Sequence, residues 1–227
     1  MRENQSGRSM IEMLGVIAII GILTAGGLAG FSKALDMYRT NRASHQISFI
    51  LGHVRGLYRG QKSYRGLDSK TSYRVIDRTE IFPKDMGSGG NYRNLFSGPV
   101  RVKTSCKDVA TVTDGDRILS YCDELAFVLV YGGVPRGTCL DLAKTDWGTG
   151  SYGGAVAVGV NVGEDVEAGL EYMDSLTTRR CRKTSNPASS QNLGNAVVCE
   201  GDGKMSPMDA SRGCSSKQDN TLYFKLY

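Results

Sequence analysis

The chain has 227 residues with 28 basic and 23 acidic side chains, a formal charge of +5. A balance that modest and that mixed in sign gives no ground for a polyanion receptor or an acidic-substrate enzyme. The length admits one membrane span and one globular domain of ordinary size. A short polar leader ends at Gly7, and an almost unbroken apolar run follows to Phe31. From Met13 to Phe31 nineteen residues carry no charge. As a helix they cover about 28 Å at ~1.5 Å per residue, close to the thickness of a bilayer's hydrocarbon core. Glu12 stands at the front of that run, and a lone carboxylate at the edge of an apolar span is costly in lipid and marks a functional position. A secretory signal peptide would place small residues after a shorter apolar region. Ala25-Gly26-Gly27 offers such a site, but Glu12 is out of place there. An ordinary single-span anchor explains the length and leaves the spacing of Gly7 and Glu12 without a reason.

The helix is predicted to continue well past the apolar run. No proline occurs before Pro83, and Leu35, Tyr38, Ile47, Ile50, Leu51, Val54, Leu57 and Tyr58 recur at three- and four-residue steps, an amphipathic stripe. Gly52, Gly56 and Gly60 weaken the last turns, each by ~1 kcal/mol relative to Ala, so the helix should end near Gly60. Gly26 and Gly30 have the G-x-x-x-G spacing that lets membrane helices approach closely. Gly26-Gly27 is equally a place where the helix could unwind.

From Gly60 to about Ser120 the chain is polar, with turn signals at Gly87-Ser88-Gly89-Gly90 and Ser97-Gly98-Pro99. It reads as an irregular αβ connection with short elements, including a strand near Val100–Val102. Better strand signals follow: Leu125–Tyr131, stopped by Gly132-Gly133; Ala155–Val160; Ala196–Cys199; and Thr221–Tyr227, whose Leu222, Phe224 and Leu226 alternate onto one face. Residues 165–176 read as a short helix. The expected fold class is therefore α+β, a long N-terminal helix, half of it transmembrane, packed on an antiparallel sheet.

Six cysteines, Cys106, Cys122, Cys139, Cys181, Cys199 and Cys214, all lie in the second half. None forms a C-x-x-C pair, and an even set fits a disulfide-bonded domain in an oxidising compartment. Six cysteines allow 15 pairings, and sequence does not choose among them. Nearest-neighbour pairing would join Cys106 to Cys122, Cys139 to Cys181 and Cys199 to Cys214. Charge near the span ends does not orient it, since Arg2 and Arg8 precede it and Lys33, Arg39 and Arg42 follow. The cysteines place the C-terminal domain outside the cytoplasm.

Catalytic chemistry is hard to find. The two histidines, His45 and His53, are about 12 Å apart along a helix axis, too far to share a metal. No nucleophile elbow, phosphate loop or zinc-protease motif occurs, and no cofactor or metal is expected. The acids Glu200, Asp202, Asp209 and Asp219 gather near the C-terminus without the spacing of a calcium loop. Arg55, Tyr58, Arg59, Lys62, Tyr64, Arg65, Lys70, Tyr73 and Arg74 interleave basic and aromatic side chains, which could hold single-stranded nucleic acid by phosphate contact and stacking. A solvated helix end is the plainer account of that stretch.

The residues at the front of the chain carry a resemblance. Gly7, then Arg8-Ser9-Met10-Ile11-Glu12, then Met13-Leu14-Gly15-Val16-Ile17-Ala18-Ile19-Ile20-Gly21-Ile22-Leu23 resemble the type IV prepilin family, which includes type IV pilins and type II secretion pseudopilins. Arg8 stands where that family usually has Phe, Met or Leu, and Gly26, Gly27 and Gly30 where it often has proline. The resemblance implies a pilin-like fold and a structural, non-enzymatic subunit of a filament. It implies cleavage between Gly7 and Arg8 by a prepilin peptidase, methylation of the new amine, and pairing of Glu12 with a neighbouring subunit's amine. It also implies identical or related pilin subunits and an inner-membrane assembly platform as partners. The subunit would sit in the bacterial inner membrane before assembly, then in a pilus or periplasmic filament. The segment from Cys199 to Cys214 resembles the family's C-terminal disulfide-bounded loop. On this reading residues 1–7 are a leader, 8–34 the transmembrane and assembly half of the helix, 35–60 its amphipathic half, and 61–227 a disulfide-bonded head. A type II secretion pseudopilin and a DNA-binding minor pilin are the alternatives.

Overall fold

A single helix, α1 (Met10–Leu57), opens the computed structural model, which describes residues 10–114, 117–147, 155–162, 165–176, 196–199, 205–215 and 219–227. Two compact units divide the chain, one ending at Asn41 and the other running from Arg42 to Tyr227. The described residues of the first are all helix, and the side chains from Met10 to Arg39 are all exposed. In the second, the periodic stripe of α1 meets a core: Ala43, Ile47, Ile50 and Val54 are fully buried.

Among the described residues seven strands follow in the second unit: β1 (Val100–Ser105), β2 (Val109–Asp114), β3 (Arg117–Cys122), β4 (Ala126–Val134), β5 (Ala155–Val160), β6 (Ala196–Cys199) and β7 (Asn220–Leu226). Five of them form one sheet in the order β1-β4-β7-β5-β6, antiparallel at every junction. The C-terminal strand is thus the middle one. The two remaining strands, β2 and β3, pair only with each other. Among the described residues four shorter α-helices accompany them: α2 (Tyr73–Arg78), α3 (Arg136–Lys144), α4 (Val166–Ser175) and α5 (Pro207–Gly213). The last two start on matched N-caps. Asp165 accepts from the Ala168 amide, and Ser206 accepts from the Asp209 amide ahead of a proline at the first helical position.

Alternation along the strands separates two cores. On one face Phe127, Leu129 and Tyr131 of β4 and Leu222, Phe224 and Leu226 of β7 pack with α1, α3 and α5. On the other, Val128, Val130, Ala157 and Tyr223 pack under Leu170 and Met173 of α4. A strand's period of two makes both layers from one sequence. Gln46 links the first layer to α1: it accepts from Tyr131 Oη at 2.7 Å and donates to Asp85 at 3.3 Å, and Arg42 pairs with the same carboxylate at 3.1 Å.

Two expectations about these elements need correction. The stretch before Ser120 is not merely irregular, since it contains β1, β2 and most of β3; polar, threonine-rich strands have no apolar run to betray them. Gly132-Gly133 does not stop β4, which continues to Val134 across an irregularity in register. The glycines are there for proximity: a Cβ on Gly98 would lie 1.9 Å from the Gly132 carbonyl oxygen, and Gly133 has φ +68°. Asn94 fastens that crossing, donating to the Gly132 carbonyl at 2.7 Å and accepting from the Phe96 and Gly98 amides.

Candidate assembly helix and head surface

The first candidate region is the apolar part of α1. The described part of α1 opens at Met10, and Glu12 lies within its helix. Gly7 and Arg8 lie outside the described residues. Around Glu12 the exposed surface is apolar: Met10 is 85% and Ile11 79% exposed, and Leu14, Ile17, Ile22 and Leu23 are nearly as open. This is the one described helix long and apolar enough to cross a membrane, with a mean hydropathy of 2.2 over its best window, none of which is buried. Each large aliphatic side chain left in water forgoes ~1.5–3 kcal/mol of burial, so a surface like this needs lipid or other subunits. Helix is continuous through Gly26, Gly27 and Gly30, and a Cβ at any of them would meet nothing within 4 Å.

The second region is the disulfide framework. Cys106 and Cys122 are bonded, with Cα atoms 5.1 Å apart, as neighbours in sequence would suggest. Cys139 is bonded to Cys214, with Cα atoms 5.9 Å apart. That excludes both Cys139–Cys181 and Cys199–Cys214. Nearest-neighbour pairing fails here because α3 and α5, distant in sequence, lie side by side; the Met205 amide donates to the Ala143 carbonyl at 2.9 Å beside the bond. Cys181 lies outside the described residues, and of Cys199 only the backbone is described.

The remaining sequence candidates disperse. His45 and His53 are both exposed, and the His53 ring stacks on Phe49 with centroids 3.7 Å apart. Among the described residues no cluster of three or more metal-ligating side chains occurs. Glu200 and Asp202 lie outside the described residues, while Asp209 accepts from the Ser206 hydroxyl at 2.7 Å. The basic, tyrosine-rich stretch is no continuous surface. Arg65 pairs with Glu124 at 2.6 Å and Lys70 with Glu167 at 3.3 Å. Tyr58 and Tyr64 pack on each other, and Tyr64 packs on Phe127. Arg55 is half-buried in the same place, and desolvation pushes its guanidinium down.

Several residues that hold the head gave little or no sequence signal. Glu167, at the start of α4, binds Arg101 and Lys70, and the hydrogen bond from Arg101 holds its carboxyl below the usual range. Asp174, near the end of α4, accepts from Ser105 Oγ at 2.7 Å and from the Cys106 amide at 3.1 Å. Lys225 of β7 is fully buried, and its ammonium donates to the carbonyls of Met173, Asp174 and Leu176 at 2.8, 3.2 and 2.7 Å. These are carbonyls of the last turn and C-cap of α4, where a cation fits. Burial pushes Lys225 down to about 8. The only sequence hint is that Lys225 interrupts an otherwise apolar strand.

A hydrophobic assembly helix on a disulfide-bonded α+β unit, with no assembled catalytic group among the described residues, is the pattern against which known proteins can be compared. The family model described as PilS N terminal matches residues 37–226. The major structural subunit of the bundle-forming pilus of Escherichia coli O111:H- is 25% identical over 166 residues, 72% of this chain and 75% of that protein. Its counterpart in Escherichia coli O127:H6 is 25% identical over 163 residues, covering 71% and 73%. Among solved structures, the type IV b pilin from Salmonella typhi aligns over 84% of this chain and 97% of its own, with TM-score 0.42 and 15% identity. TcpA, a type IV pilin from Vibrio cholerae El Tor, aligns over 84% and 99%, with TM-score 0.48 and 10% identity. Since the family model spans most of the chain, from the middle of α1 to the end of β7, the chain belongs to the type IV pilin family, a family of structural subunits.

Proposed function

We propose that the chain is a structural subunit of a type IV pilus, cut between Gly7 and Arg8 by a prepilin peptidase and assembled through α1 into a homopolymer. The observation that carries this reading is the fully exposed apolar segment Met10–Phe31 with Glu12 as its one carboxylate, on a chain of the pilin family. Before assembly the segment rests in the inner membrane, where its length suits the hydrocarbon core. On leaving the bilayer it packs against its copies, with burial at ~25 cal/mol per Å² supplying cohesion. An assembly platform in that membrane performs the extraction. Glu12 sets axial register by meeting the N-terminal amine of a neighbour, because an unpaired carboxylate among apolar helices would be expensive. The relatives' role as major structural subunit of a bundle-forming pilus extends naturally to this chain.

Two measurements test the proposal. Intact mass and N-terminal sequencing of sheared fibres should give a chain beginning at Arg8; a Met1 start would mean a plain anchor, and cleavage near Gly27 a secreted soluble protein. Glu12→Leu should stay in the membrane fraction, processed but unassembled. Fibres of normal number and length from that variant would remove Glu12 from its role.

A further inference from the structure

The two described disulfides stand in opposite surroundings. Cys139 and Cys214 are 0% and 1% exposed, in the core shared by α3, α5 and the sheet. In the other bond Cys106 is 5% exposed, but Cys122 faces solvent. Cys122 is flanked by Tyr121, 55% exposed, and Leu125, 39% exposed. This open bond closes the base of the β2–β3 ribbon, whose register runs from Val109 opposite Cys122 to Asp114 opposite Arg117. Neither strand pairs with the five-stranded sheet. A two-stranded hairpin by itself is marginal in water. The Asp123 carboxylate also fastens its base, accepting from the amides of Lys107, Asp108 and Leu125 at 2.8, 3.0 and 3.2 Å.

We propose that Cys106–Cys122 is a thiol–disulfide exchange site for a solvent thiolate, and that its reduction releases the β2–β3 ribbon while the five-stranded head stays folded. A thiolate reaches Cys122 Sγ from solvent, forms a mixed disulfide there, and displaces Cys106 as thiolate. A second thiol then attacks the mixed disulfide and frees Cys122. Two external thiols leave as one disulfide, and the protein bond has taken up two electrons and, with the protons of those thiols, gives two cysteine thiols. The reverse choice, attack on Cys106, is blocked because that residue is covered and its amide is bound by Asp174. Opening removes the constraint of a bond joining residues 16 apart, which by loop-closure entropy changes the ribbon's opening equilibrium by about 10²-fold. The five-stranded ladder keeps its pairings, because neither β2 nor β3 belongs to it and the other described disulfide joins Cys139 to Cys214.

The test uses the full-length chain in detergent with glutathione as the thiol, quenched by alkylation and mapped peptide by peptide. The glutathione adduct is expected on Cys122, followed by free Cys106 and Cys122, with Cys139 and Cys214 still oxidised. Amide exchange over Val109–Cys122 should accelerate by about 10²-fold, with β4 and β7 unchanged. An adduct on Cys106, equal reaction of the two disulfides, or unaltered ribbon amides would each overturn the proposal. A Cys106→Ser, Cys122→Ser double variant should reproduce the reduced ribbon in an otherwise protected head. Loss of protection in β4 and β7 of that variant would show that ribbon and head are not separable, and would overturn it as well.

Discussion

Replacing Lys225 with Met should abolish a pH dependence of stability that the native head possesses. The native amine is buried and bonded to three carbonyls at the end of α4, and burial holds it near 8, against the pull of Asp174, Asp123 and Asp108. In the unfolded chain a lysine titrates near ~10.4. Between about pH 8 and 10 the unfolded chain therefore keeps a proton that the folded head has given up. The state that binds more protons loses ground as pH rises, so folding stability should climb through that window, by up to ~1.4 kcal/mol per pH unit. Below pH 8 both states are protonated and the slope disappears. Tyr131 and Tyr223 set the upper limit. Burial raises both, so above pH ~10 they protect the folded state less as the unfolded phenols ionise. From pH 8 to 9.5 the native protein should gain about 2 kcal/mol, while Lys225→Met stays flat. Denaturant titration followed by Trp147 reads this directly, since the single tryptophan is 9% exposed and packs edge-on against Phe224 in β7. Parallel curves for the two proteins, or a native curve that falls across pH 8 to 9.5, would refute the reasoning.

Close packing of α4 on the sheet gives a second expectation. A Cβ on Gly169 would sit 2.1 Å from Tyr223 Oη and 2.3 Å from the Val162 carbonyl, so Gly169→Ala should cost ~3 kcal/mol or more. Gly137→Ala in α3 meets nothing and should gain up to ~1 kcal/mol; equal denaturation midpoints for the two variants would count against the packing. Removing the buried bond with Cys139→Ser and Cys214→Ser opens a span of 75 residues and should cost ~4 kcal/mol, measured under non-reducing conditions. A change below ~1 kcal/mol would mean that α3 and α5 hold together without it.

The helix and most of the sheet were readable because periodicity writes them. Ile47, Ile50, Leu51 and Val54 recur at helical steps and are the residues of α1 that enter the core. Leu222, Phe224 and Leu226 alternate in sequence and line one core in space. The ribbon β2–β3 and helix α3 were missed, because short polar elements are set by what they contact. Cysteine pairing was half legible: proximity in sequence found Cys106–Cys122, whereas Cys139–Cys214 depends on α3 and α5 meeting, a fact of topology. Glu12 was visible as an anomaly, a charge where lipid should forbid one. Lys225 was harder to see, since one lysine in a strand normally points to water, and here the far side of the sheet is roofed by α4.

The position of β7 in the sheet has a consequence for timing. The strand that joins β4 on one side to β5 on the other is made last, within eight residues of Tyr227. Until it arrives, β1–β4 and β5–β6 are two fragments with no shared hydrogen bonds, each with a bare edge. A chain still emerging from the ribosome or crossing a membrane therefore cannot complete its head, whatever the merit of its earlier strands. Pairings between residues so far apart are also slow to form. The head therefore becomes rigid only once β7 has come through.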